Sequence, residues 1–309
     1  MSQNQQPEII ELDCESFGGH AAHWRILTNT PEQDVGKWLH LALDTPKSPM
    51  GLCQQEQDLP NDLWLLQGSQ QDIQVTQIIA VEDNTPKFLK TAFPVLHSPY
   101  QFKAKVTRIL KCNSTNEAVL RLELENGSVI YGYDTLFAVN QAQYSSQLWY
   151  NVEINAWAYE LERVPSKETM LIEDPVAIRH HRALNDILAD HNGETPDNLQ
   201  ELLAAWQPSA PEDEMPVTID ISKMVAYLYG ESIGQEDEAW FQGDIVGKTS
   251  SQFMDKNFVL YDVAIMREDK SKPVILRLAY PEHHQQYEIG EYIRGNIWIQ
   301  IKIYGTNTP

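Results

Sequence analysis

The chain has 309 residues, 42% of them hydrophobic and 22% charged, with a formal net charge of −21. That length can bury two or three cores, and that composition excludes a disordered chain. No apolar run is long enough for a membrane-spanning helix, and the opening MSQNQQPEIIELDCES lacks a basic region followed by an apolar stretch, so a cytoplasmic address is expected.

The charge is unevenly distributed, at −8 over residues 1–100, −1 over 101–164, −12 over 165–238 and 0 over 239–309. In the first segment, Asp34–Asp44 has a helical pattern with Trp38, Leu39 and Leu41–Leu43 inward, and Asp72–Glu82 alternates like a strand. The segment is expected to be a mixed α+β region. Cys14, Cys53 and Cys112 are widely spaced and odd in number, which fits reduced thiols rather than a disulfide framework. His20 and His23 stand three apart near Cys14, a spacing that would serve a metal only on a helix, and Gly18-Gly19 argues for a loop.

Residues 101–164 are β-rich. Leu120, Leu122 and Leu124 alternate with polar neighbours, and Asn126-Gly127 supplies two positive-φ positions for a tight hairpin turn. Lys103, Lys105, Arg108 and Lys111 form a small basic patch, which is either a solvated strand edge or a phosphate-binding strip.

Residues 165–238 form an acidic helical connector. Asp174-Pro175 starts a helix through about Asp190, and Thr195-Pro196 starts another that reaches about Trp206 before Pro208. His180 falls on the apolar stripe of the first helix, as a packed histidine rather than a base, while Asp186 and Asp190 make a solvated face. SKMVAYLYG (222–230) fits a short helix or a strand.

The last segment, 239–309, repeats the β pattern of 101–164. Phe102 corresponds to Phe241, Gln143-Tyr144 to Gln286-Tyr287, and Trp157 to Trp298, so an internal duplication is the economical reading. His283-His284 lies in the polar connection before Tyr287.

Three strands, a polar connection and then Tyr287, Gly290, Gly295 and Trp298 in the spacing Y-x-x-G-x-x-x-x-G-x-x-W resemble the OB-fold, a five-stranded Greek-key barrel. The resemblance implies an α+β protein with two small OB-like modules, at 101–164 and 239–309. The first copy lacks both glycines. The activity the resemblance implies, single-strand binding, needs cations and stacking aromatics. The candidates are Lys103, Lys105, Arg108, Tyr131, Tyr133, Trp240, Tyr261 and Tyr292.

Net charge argues against nucleic acid. The leading expectation is therefore a non-enzymatic protein whose acidic surface recognises a basic protein partner, in the manner of an inhibitor or immunity protein. Single-strand binding is the alternative, and a hydrolase or metal enzyme using the histidines is a third; no cofactor and no membrane are expected. No nucleophile elbow, phosphate loop, zinc-protease or dinucleotide motif appears in the sequence.

Overall fold

The computed structural model describes residues 6–12, 21–44, 47–230, 233–267 and 272–307. The architecture is mixed α+β, built on one ten-stranded sheet with a three-stranded and a two-stranded sheet beside it. A short strand, β1 (Glu8–Glu11), precedes helices α1 (Ala21–Leu27) and α2 (Pro31–Asp44). Strands β2 (Leu63–Gln70), β3 (Ile73–Glu82) and β4 (Thr85–Leu96) then form an antiparallel meander. α2 packs on this sheet through buried Trp38 and Ala42, and Leu43, expected inward, is 46% exposed because it lies beyond that contact stripe.

The large sheet begins with β5 (Gln101–Cys112), β6 (Glu117–Leu124) and β7 (Val129–Asp134). A one-turn helix, α3 (Phe137–Asn140), leads to the long β8 (Trp149–Arg163). After the connecting segment, β12 (Glu238–Phe253), β13 (Lys256–Met266) and β14 (Val274–Pro281) form a second meander, and β15 (Tyr292–Asn307) ends it.

The connecting segment holds the antiparallel pair β9 (Thr169–Ile172) and β10 (Val217–Asp220), helices α4 (Pro175–Asp190) and α5 (Leu199–Ala205) between them, and β11 (Ala226–Tyr229). α4 is capped as its sequence predicts, the Asp174 carboxylate accepting from the Ala177 N–H. α5 starts at Leu199 and not at Thr195-Pro196, which lie ahead of the turn that leads into the helix. β11 resolves the ambiguous SKMVAYLYG as a strand, paired with β12. His180 is exposed, because the buried face of α4 is Ile178, Ala183 and Ile187; the apolar stripe is phased differently from the sequence reading.

The strands close into two rings. β5, β6 and β7 run in series, β7 lies parallel to β15, β15 pairs antiparallel with β8, and β8 returns to β5. Likewise β12, β13 and β14 run in series, β14 lies parallel to β8, and β15 returns to β12. The β8–β15 pair therefore belongs to both rings, and each ring takes one strand from the other half of the chain. Trp157 and Trp298 face each other in register at the middle of that shared pair.

Two cores follow from this topology. One fills the rings with Ile154, Tyr261, Tyr287, Ile299, Ile301 and their neighbours, all buried. The other joins the outer side of the shared pair, at Trp157 and Trp298, to Trp24, Trp38, Phe93 and Phe253 of the helices and hairpins beside it. The turn at Asn126-Gly127 differs from expectation. Only Gly127 has positive φ, at 85°, and Asn126 instead uses its side chain to accept from the Ser128 N–H. Cys112 is disulfide-bonded, which corrects the reading of three reduced thiols; Cys53 is buried and free, and Cys14 lies outside the described residues.

A buried polar knot fixes α3 against the first ring. The Tyr144 hydroxyl donates to the Asp134 carboxylate, the Leu136 N–H donates to its other oxygen, and Asn140 links the Leu52 N–H to the Ile303 carbonyl. Burial pushes the Asp134 carboxyl up to about 7, although both donors favour the charged form. The folded value lies above the unfolded one, so this group's stabilisation is full below about pH 4 and is lost as pH rises through 7. Chemical denaturation is expected to give about 2–3 kcal/mol more stability from this group at pH 5 than at pH 8, and Asp134→Asn is expected to remove that difference.

Candidate binding cleft

The segment between α2 and β2 has little regular structure, since Pro49, Gly51 and Pro60 interrupt it. It lies over the edge of the three-stranded sheet, where the Val81 N–H donates to the Asp62 carbonyl. Across from it, Asp83 and Asn84 turn the β3–β4 hairpin, both with positive φ (50° and 56°), as a two-residue turn of that hand requires. Between segment and turn lies a cleft of about 880 Å³.

Its apolar lining includes Met50, Leu59, Trp64, Leu65, Val81 and Val139, and its polar lining includes Glu56, Asp62 and Asp83 with Gln57, Asn61 and Asn84. Among the described residues, no Lys, Arg or His lines it. All three carboxylates are exposed, and none has a cationic partner among the described residues. The half-buried Trp64 indole completes the arrangement. An aromatic ring beside unpaired carboxylates attracts an ammonium or guanidinium group attached to an apolar stem.

The basic patch has a different fate. Lys103 pairs with Glu125 at 3.8 Å, and the Arg108 Nε donates to Glu8 at 2.7 Å. Lys105 lies 4.8 Å from the centre of the Trp149 ring, and Lys111 6.0 Å from that of Phe137. The acidic strand β1 runs parallel to β5, with Glu8 beside Arg108 and Glu11 beside Lys111 in the register.

The aromatic candidates divide by burial. Tyr133 and Tyr261 are fully buried and offer no face for stacking. The Tyr133 hydroxyl donates to the buried Glu117 carboxylate at 2.7 Å, and the Tyr261 hydroxyl accepts from the Tyr287 N–H at 3.0 Å. Trp240 and Tyr292 are half-buried on the adjacent strands β12 and β15. Tyr131 is half-buried beside Arg108, and Tyr227 and Tyr229 from β11, absent from the sequence candidates, join it there. Two tyrosines at period two in AYLYG were the available signal.

The histidines are dispersed. His23 is buried and stacks on Trp298, with ring centres 3.8 Å apart, while His20 lies outside the described residues. His284 stacks on Tyr280, and burial together with neighbouring His283 pushes its pKa down. Among the described residues no group of three or more His, Cys, Asp or Glu is arranged to hold a metal ion. Among them, too, no helix is long and apolar enough to cross a membrane.

Compared with known protein families, curated proteins and solved structures, the chain matches none.

Proposed function

We propose that this chain is a non-enzymatic binding protein whose acidic cleft takes a basic, partly apolar segment of a partner protein. The observation that carries the reading is the contrast in charge pairing. Glu56, Asp62 and Asp83 surround a partly apolar cleft with no cationic partner among the described residues, while Lys103 and Arg108 of the basic patch pair with the chain's own carboxylates. The −12 carried by residues 165–238 adds a long-range field that speeds encounter with a basic partner.

In this reading the two rings are OB-like modules produced by duplication and used as scaffold. Three facts support it: the third strand of each ring lies parallel to its fifth, the fourth pairs with the first, and the equivalent tryptophans meet in register.

The test is fluorescence anisotropy with a labelled peptide of alternating lysine and leucine, at low and at moderate salt. Binding that weakens with salt is expected, and Glu56→Gln/Asp62→Asn/Asp83→Asn is expected to weaken it about tenfold. A control triple on the connector, Asp190→Asn/Asp197→Asn/Glu201→Gln, makes the same change in net charge. Equal losses in the two triples would reduce the cleft to bulk acidity and overturn the proposal.

A further inference from the structure

A second, smaller recess lies on the first ring, away from the acidic cleft. It measures about 230 Å³, and its walls include Arg108 and Leu110 of β5, Tyr131 of β7, Tyr229 of β11, Gly230 and Glu236. The Tyr131 and Tyr229 rings have centres 5.0 Å apart, and Tyr227, with its own ring 5.4 Å from Tyr229, accepts the Tyr131 N–H through its hydroxyl. The pair is therefore fixed from behind by a third aromatic. Tyr229 is 43% exposed, so it keeps ring surface for something else.

The charged walls narrow what that can be. Arg108 is anchored by Glu8 through Nε, and a guanidinium has further N–H donors beyond that one. Glu236 is exposed and offers only acceptors. A quaternary ammonium would meet Arg108, and an anionic ring would meet Glu236. A neutral planar ring with an acceptor edge for one and a donor edge for the other meets neither objection, and guanine has this pattern, with O6 and N7 on one edge and N1–H and the 2-amino group on another. A volume of about 230 Å³ is enough for one such bicyclic ring with its sugar outside.

We infer that the recess between β7 and β11 is a guanine-binding site, in which the base stacks on Tyr229, takes hydrogen bonds from Arg108 and donates to Glu236. Glu8 acts through Arg108 and is a positioning residue.

Equilibrium dialysis with guanosine, adenosine and uridine tests this, with a guanine-containing pentanucleotide as a further arm. Guanosine is expected to bind about tenfold more tightly than the other two nucleosides. Tyr229→Ala, at an exposed edge, is expected to abolish binding with an unchanged melting curve, and Glu236→Gln to erase the preference for guanosine over adenosine. A pentanucleotide that binds much more tightly than guanosine would assign the base to a single strand; equal affinity would assign it to a free nucleoside or nucleotide. Guanosine binding no tighter than uridine, or unaffected by Tyr229→Ala, would overturn the inference. The triple variant of the acidic cleft is expected to keep full guanosine affinity, which separates a failure of this inference from a failure of the cleft.

Discussion

Residues 1–172 expressed alone are expected to give no cooperative unfolding transition and to associate, and adding residues 173–309 as a second chain is expected to restore a single folded complex. The reason is the shared strand pair. Without β15, β7 loses its parallel neighbour and β8 loses a ladder that runs from Arg163 to Trp149. Ile297, Ile299, Ile301 and Ile303, all fully buried, would leave the core with it. At about 1.5–3 kcal/mol for each buried side chain, that loss approaches the whole 5–15 kcal/mol margin of an ordinary domain. Circular dichroism melts with size-exclusion chromatography read the result. A monomeric 1–172 fragment that melts cooperatively would mean that the first ring closes without its borrowed strand.

Gly295→Ala is expected to destabilise the whole chain by about 2–4 kcal/mol, lowering its melting temperature by about 5–10 °C. A methyl group at this position would stand 2.0 Å from the Glu160 carbonyl oxygen, with Leu161 also close, so the backbone of β8 or β15 must move. Those strands are held in both rings, and the register between them shifts immediately after this point, at Asn296/Ile297, which leaves little freedom to move. Gly290 provides the contrast. Its φ is +89° but nothing lies within 4 Å of its missing side chain, so Gly290→Ala is expected to cost only about 1 kcal/mol of backbone strain. Equal losses at both positions in denaturant titrations would rule out close approach as the cause at Gly295.

What could be read in the sequence was local. Asp174-Pro175 specifies the start of α4 through one side chain and one fixed φ, and alternation at Leu120, Leu122 and Leu124 specifies β6, whose inward residues are all buried. The sharing of strands between the rings was not legible, because a period-two pattern records which face is apolar and not which strand lies alongside. Tyr133 of β7 is beside Gln300 of β15, and no local signal spans that separation. The acidic cleft was hidden for a similar reason: Glu56, Asp62 and Asp83 come from an irregular segment and a hairpin turn, where no periodicity marks a common surface. AYLY, at four residues, was too short for either period to declare itself.

The borrowed strand also sets a timetable for synthesis. When β8 leaves the ribosome, the strand that must lie between it and β7 has not been made, and translation has to pass from Arg163 to Asn307 first. At about 5–20 residues per second that wait lasts roughly seven to thirty seconds. Throughout it, β7 and β8 present unpaired backbone and apolar side chains to their surroundings. Open sheet edges of that kind are where pairing with another chain starts, and slowing translation within the connector would prolong the vulnerable interval without changing a residue.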